Sequence, residues 1–184
     1  MDVTGAIRRH PGRTAVVGVV GLAALVFGFL WFRPDRLFTE DRVNEALPGA
    51  PAAQTETAAE EDPGTAAGMP GPSTVAEGEF ISLEHQSTGR ALIVETATGG
   101  RFLRFDDFET SNGPDLVVYL SAKTPAGTDD WHGYDRDFVD LGVLKGNIGD
   151  QNYDLPEDVD LDRYSTAVVW CRRFEVGFAA AALE

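Results

Sequence analysis

Residues 14–32 form a run of nineteen residues, TAVVGVVGLAALVFGFLWF, that contains no charged side chain. At a rise of about 1.5 Å per residue, a helix of this length spans roughly 28 Å, which matches the hydrocarbon thickness of a bilayer. We therefore predict a single transmembrane helix over residues 14–32. A helix of this kind would decide the compartment in which the rest of the chain works.

A cleaved signal peptide is the alternative interpretation of this run. A signal core is usually about 7 to 15 residues long and leads into small residues at a cleavage site. This run is longer and continues into the bulky sequence WFRP at residues 31–34, so a retained anchor is favoured. Residues 1–13, before the run, contain three arginines, and residues 33–36, after it, contain two. This charge difference predicts a cytoplasmic arm of residues 1–13, with the remaining chain on the outer side of the cell membrane.

The segment after the apolar run has the composition of a linker. Between Thr39 and Val75 the chain is rich in Ala, Pro, Thr, Glu and Gly and has hardly any aromatic residue. Such a segment buries too little apolar area to offset the entropy lost on ordering. We predict a flexible, disordered linker over residues 33–76, in which residues 40–47 could form a turn or two of helix before Pro48.

Residues 77–184 are long enough for one ordinary domain, and they are strongly acidic. They hold nine Lys or Arg against twenty-one Asp or Glu, a net charge of −12 within the −15 of the whole chain. Nucleic acid is excluded as a partner, because binding to phosphates requires a positive surface. The acidity fits either a solvated surface or a cationic partner.

Short runs of β-branched and aromatic residues recur through this domain, separated by Gly, Pro, Asn and Asp. They predict an all-β sandwich or barrel of about seven to eight short strands. Thr98-Gly99-Gly100 can supply the positive φ angles of a tight hairpin. The predicted strands are residues 80–83, 91–95, 101–105, 116–120, 138–144, 164–171 and 174–179.

Cys171, the one cysteine of the chain, stands at the end of an apolar strand and directly before Arg172 and Arg173. Strand alternation places it on the face of Val169 and opposite Trp170. Nearby cations would lower the pKa of the thiol, whereas an apolar environment would raise it. The sequence leaves open whether Cys171 is an inert core residue, an intermolecular bridge or a redox group.

Other candidate sites carry weaker patterns. His85, His132 and Cys171 lack the paired spacing of a zinc site, and no metal site is assigned. The run of Asp158, Asp160 and Asp162 resembles the start of a calcium loop but lacks its glycine. The loop of residues 129–135, DDWHGYD, combines aromatic rings and carboxylates that can contact a sugar or a cation, or simply anchor a polar loop through a buried Trp.

Catalytic signatures are absent from the sequence. It contains no G-x-S-x-G motif and no phosphate-binding loop, and its many carboxylate pairs are expected by chance. The question of whether the protein is an enzyme stays open, and no cofactor can be assigned.

Six segments, taken together, resemble a DM13 domain over about residues 78–183. The resemblance implies a β-rich extracytoplasmic module that sits behind a single anchor in bacteria. A role in electron transfer or oxidative hydroxylation has been proposed for this family on the basis of a cysteine that falls on Cys171. The matching segments are Gly89 with residues 91–94, LRFDDF at 103–108, GPDLVVYLS at 113–121, LGVLK at 141–145, GDQNYDLP at 149–156 and VVWCRRF at 168–174.

Two hypotheses for function follow. The first is a membrane-anchored, extracytoplasmic domain that acts in electron transfer or thiol redox chemistry through Cys171, with a separate redox partner protein. The second is a non-enzymatic recognition or structural module in which Cys171 is a packing residue and residues 131–134 form a contact surface.

Overall fold

The computed structural model describes residues 11–32, 40–49 and 71–184. It divides the chain into two compact units, with the boundary between Phe38 and Thr39. The first unit contains a helix, α1, from Pro11 to Phe32, and the second contains the β domain. The predicted arm of residues 1–13 lies outside the described residues, apart from the first turn of α1.

Helix α1 includes the whole apolar run of residues 14–32. Nevertheless, among the described residues no helix combines the length and the apolar character that crossing a bilayer requires. The structure therefore does not support the predicted transmembrane helix.

The β domain consists of two five-stranded sheets. The first sheet has the strand order β1-β8-β5-β4-β2, and the second has the order β3-β10-β9-β6-β7. All pairs are antiparallel except β1 with β8, which run parallel. The strands are β1 (Arg42–Asn44), β2 (Ser73–Glu79), β3 (Ile81–Ser82), β4 (Ser87–Glu95), β5 (Arg101–Thr110), β6 (Leu116–Ser121), β7 (Phe138–Val143), β8 (Ile148–Asp154), β9 (Thr166–Cys171) and β10 (Val176–Ala182).

The main core fills the space between the two sheets. The first sheet contributes Ile93, Leu103 and Phe105, and the second contributes Val118 and Val169. A second apolar cluster covers the outer face of the second sheet, where Trp170 and Tyr119 pack under the loop between β6 and β7. The predicted β sandwich is therefore confirmed.

All seven predicted strands correspond to strands of the structure, and the hairpin at residues 98–100 is also present. Gly99 has a φ of 83° there, and its N–H donates to the carbonyl oxygen of Thr96 at 2.9 Å. The predicted last strand, however, begins at Val176 rather than at Phe174. Phe174 lies in the preceding turn and is 55% exposed.

The prediction of a flexible linker over residues 33–76 is wrong for two segments. Residues 42–44 form β1 on the edge of the first sheet, and β2 starts at Ser73. Residues 40–47, considered above as a turn or two of helix, contain no helix: residues 42–44 pair with β8 as a strand, and the residues on either side have no regular structure. Residues 33–39 and 50–70 lie outside the described residues.

Candidate functional site

Cys171 is the last residue of β9, in the middle of the second sheet. It pairs with Leu116 of β6 on one side and with Val176 of β10 on the other. Its side chain is 0% exposed and belongs to the core between the sheets together with Val169, whereas Trp170 packs on the opposite face. The orientation predicted from strand alternation is therefore confirmed.

Burial has the largest effect on the pKa of the Cys171 thiol. It raises the pKa of Cys171, although the backbone N–H groups of Phe174, Arg173 and Asp115 act in the opposite direction. Burial therefore outweighs the factors that would favour a thiolate. Arg172 does not supply the positive charge that the sequence made available, because its Nε donates to the Tyr119 hydroxyl at 3.1 Å and its guanidinium pairs with Asp140.

The turn of residues 172–175 encloses the thiol. The N–H of Glu175 donates to the Cys171 carbonyl oxygen at 2.9 Å, and the N–H of Arg172 donates to the Asp115 carbonyl oxygen at 3.1 Å. Glu175 has a φ of 55°, in the left-handed region that is uncommon for a residue with a side chain. Because the thiol is shielded from solvent in the core and burial raises its pKa, a reaction at sulfur requires the surrounding structure, of which this turn is a part, to open.

The loop between β6 and β7 holds the second predicted site. Tyr134 is 0% exposed and packs on the outer face of the second sheet, and Trp131 lies partly buried beside the same cluster. Burial raises the pKa of Tyr134 well above its usual value. Its hydroxyl and the indole Nε1 of Trp131 have no hydrogen-bond partner among the residues that the structure describes.

Lys123 fixes this loop from the side of β6. Its ammonium group lies 4.2 Å from the centre of the Tyr134 ring and contacts both the carboxylate of Asp130 and the carbonyl oxygen of His132. The hydrogen bond from Lys123 and the N–H of Ala126 lower the pKa of Asp130. Next to these contacts lies a cavity of about 460 Å³, lined by Ala122, Lys123, His132, Gly133, Arg136 and Asp137.

The structure brings the two predicted sites together at the turn between β9 and β10. The N–H of Gly177 donates to the Trp131 carbonyl oxygen at 2.7 Å. His132 Nδ1 lies 3.1 Å from the carbonyl oxygen of Glu175, in the turn that encloses Cys171. A Cβ at Gly177 would lie 2.7 Å from Leu83 Cδ1, so a side chain there would require Leu83 to move. A ligand on the loop would therefore lie close to the turn that covers the thiol.

The residues considered for metal binding do not form a site. His85 Nδ1 lies 2.8 Å from the Ser111 hydroxyl, and its ring packs against Phe178. Burial lowers the pKa of His85, an effect that nearby Glu84 opposes. Asp160 accepts hydrogen bonds from the N–H groups of Asp162 and Arg163 and so stabilises a local turn. Within the described residues, no group of three His, Cys, Asp or Glu side chains could hold a metal ion.

The fold and the site define an acidic, two-sheet β-sandwich domain with a single cysteine buried at the end of a central strand. The family model described as "Electron transfer DM13" matches residues 79–183. The chain belongs to the DM13 family, which supports a general role in redox or electron-transfer chemistry. No curated protein and no solved structure matches the chain.

Sequence reasoning missed Lys123 as a part of the loop site. It lies directly after β6, six residues before the loop that the sequence singled out. Its contacts with Asp130 and Tyr134 form only because the loop between β6 and β7 folds back over Lys123. The only available signal was the presence of a cation close to a run of aromatic and acidic residues.

Proposed function

We propose that this protein is a membrane-tethered electron-transfer domain on the outer side of the cell membrane, with Cys171 as its redox group. The observation that carries the proposal is the match of residues 79–183 to a family described by electron transfer. A separate redox partner protein would carry a disulfide: the Cys171 sulfur attacks one of its sulfurs, and the new S–S bond forms as the partner's other sulfur leaves as a thiolate.

The position of Cys171 supports its part in this proposal. Three backbone N–H groups, from Phe174, Arg173 and Asp115, favour negative charge on the sulfur. Burial keeps the thiol protonated until the turn of residues 172–175 opens. A redox partner that displaces this turn would both expose the sulfur and relieve the burial that raises its pKa. The thiol would then react only within the complex.

The apolar sequence of α1 supports the membrane tether. No charged residue occurs between Thr14 and Phe32. The side chains of Val16, Val19 and Leu25 are more than 60% exposed, at 63%, 68% and 73%. Exposed apolar side chains along a helix favour a lipid environment over water.

Spectroscopy and non-reducing gels test the redox role. The full chain and its Cys171→Ala variant are purified in parallel, and ultraviolet–visible spectra are recorded with and without dithionite, with metal analysis on the same samples. A free thiol is already reduced and colourless, so we expect dithionite to change neither spectrum; the redox role is expected to appear instead as a disulfide-linked complex on non-reducing gels of alkylated cell extracts, present with the original protein and absent with the variant. Identical, featureless spectra without metal would exclude a chromophoric redox centre at Cys171, and absence of the complex would contradict its redox role.

Protease treatment of intact cells tests the location. With an epitope tag at the C-terminus, external protease is expected to remove the tag while a cytoplasmic marker protein stays intact. Carbonate extraction is expected to leave the full chain in the membrane fraction. Protection of the tag until the cells are lysed would overturn the proposed topology.

A recognition module is the second candidate function, and the cavity beside residues 122–137 favours it. The cavity is lined by the cationic groups of Lys123 and Arg136 together with His132 and the carboxylate of Asp137, in an otherwise acidic domain. Such a surface offers both charges to a polar ligand. Absence of a disulfide-linked complex in the experiment above, together with a stable Cys171→Ala variant, would favour this function over electron transfer.

A further inference from the structure

The segment of residues 41–46 lies along the outer edge of β8, separate in sequence from the rest of the domain. Arg42, Val43 and Asn44 pair in parallel with residues 148–150. At one end the N–H of Ile148 donates to the Asp41 carbonyl oxygen at 3.3 Å, and at the other the N–H of Glu45 donates to the Asp150 carbonyl oxygen at 2.9 Å. The segment binds as an added strand, in the manner of a peptide on a sheet edge.

Two glycines shape this edge for close approach of a backbone. A Cβ at Gly149 would lie 2.0 Å from the Val43 carbonyl oxygen, and one at Gly146 would lie 2.4 Å from the Asp41 carbonyl oxygen. Gly149 also has a φ of 101°, which residues with side chains rarely adopt. Any other residue at either position would exclude the segment.

Cationic and amide groups recognise Glu45 at one end of the edge. The Lys145 ammonium lies 2.8 and 2.9 Å from the two carboxylate oxygens of Glu45. The N–H of Asn152 donates to the same carboxylate at 2.7 Å, and Arg104 Nη1 donates to the Glu45 carbonyl oxygen at 3.1 Å. Burial would raise the pKa of Glu45, but these contacts with Lys145 and Asn152 outweigh it and lower the pKa.

Asn147 recognises the other end. Its Oδ1 accepts the N–H of Asp41 at 2.7 Å, while its own Nδ2 donates to the Thr110 carbonyl oxygen at 2.9 Å. Asn147 is only 5% exposed, so the domain itself holds the side chain in place. The Asp41 carboxylate accepts a further hydrogen bond from Asn112 Nδ2 at 3.1 Å.

The groups that bind the segment are positioned by contacts within the domain. Lys145 also donates to the Asn152 carbonyl oxygen at 2.6 Å, and Arg104 pairs with Asp150. All of these residues fall within the family match of residues 79–183, whereas residues 41–46 fall outside it. The binding edge thus belongs to the DM13 domain, and its occupant is an addition to that domain.

We propose that the edge of β8, with Gly146, Gly149, Arg104, Lys145 and Asn147, is a binding site for an extended acidic peptide, and that residues 41–46 are its releasable intramolecular ligand. The strand is three residues long and held mainly by polar contacts, so it can detach without loss of the core. The chain between the segment and β2 keeps the ligand at high effective concentration. This proposal does not depend on the electron-transfer role.

Competition with a synthetic peptide tests the proposal. A fluorescein-labelled peptide of residues 39–48 is titrated onto the full chain and onto its Glu45→Lys variant, and binding is followed by fluorescence anisotropy. The reversed charge places a lysine against Lys145 and should release the internal segment. We expect the peptide to bind the Glu45→Lys variant at least about tenfold more tightly than the original protein.

Two further variants sharpen the test. Glu40→Lys makes the same charge change at an exposed neighbouring residue and should behave as the original protein does. Glu45→Lys combined with Lys145→Glu restores an ion pair with opposite signs and should exclude the peptide again. Circular dichroism checks that each variant is folded. Equal peptide binding by all four proteins, or binding by none, would overturn the proposal.

Discussion

Cys171 in the folded full chain is expected to react with the disulfide reagent DTNB at least about a thousandfold more slowly than in the denatured chain. The side chain is 0% exposed, and burial raises the pKa of the thiol, so both access and the thiolate fraction are reduced. The measurement follows the release of the coloured thiolate at neutral pH in buffer and in concentrated guanidinium chloride. A Cys171→Ala variant provides the background rate.

The contribution of Cys171 to the free energy of unfolding depends on pH in a defined direction. The raised pKa means that the folded state holds its proton at a pH where an unfolded thiol, with a pKa of about 8.5, has lost it. The free energy of unfolding that depends on Cys171 is therefore fully present below about pH 8.5 and declines as pH rises further.

In the DTNB experiment, a reaction rate in buffer close to that in denaturant would show an accessible thiol and would contradict the burial of Cys171.

Replacement of Gln151 by Leu is expected to lower the free energy of unfolding by about 3 kcal/mol. Gln151 is 0% exposed, and its Nε2 donates to the Gly146 carbonyl oxygen at 2.9 Å. Its Oε1 accepts from the N–H of Gly146 at 3.2 Å and from the Tyr153 hydroxyl at 2.7 Å. Leu would leave these buried polar groups without their partner. Urea unfolding, followed by tryptophan fluorescence, measures the change.

Gln86→Leu is the matched control for this experiment. Gln86 is exposed, and its side chain contributes no hydrogen bond to the domain within the part of the chain that the structure describes. We expect its effect to stay below about 0.5 kcal/mol. If the two variants proved equally stable, the hydrogen bonds of the Gln151 amide would not contribute to the free energy of unfolding as inferred.

The same hydrogen bonds hold Gly146 and the neighbouring Lys145 in place, so Gln151→Leu should also weaken the binding of residues 41–46.

The inferred peptide site and the enclosed thiol lie on different sheets of the sandwich. Residues 41–46 add to the first sheet, beside β8, whereas Cys171 lies in β9 of the second. The two features can therefore be tested separately. Loss of peptide binding in the Glu45→Lys series would leave the proposed redox role untouched, and absence of a disulfide-linked complex would leave the peptide site untouched.

The sequence predicted those elements whose stability comes from their own apolar pattern. The strands around Val118 and Val169 are continuous apolar runs, which suits burial in a sheet. The same pattern fixed the face of Cys171, because side chains alternate along any strand. The hairpin at Gly99 followed from the conformational freedom of glycine.

Tertiary structure alone decided the rest. The sequence of β8, IGDQNYD, has little strand propensity, and it forms a strand because β5 and β1 pair with it on both sides and Gln151 finds buried partners. The same holds for residues 42–44, whose polar sequence becomes a strand only against the glycines of a distant edge. Whether Arg172 would activate the thiol also could not be known from its adjacency to Cys171. Arg172 lies in the turn after β9, and its guanidinium pairs with Tyr119 and Asp140, whereas the sulfur lies in the core between the sheets.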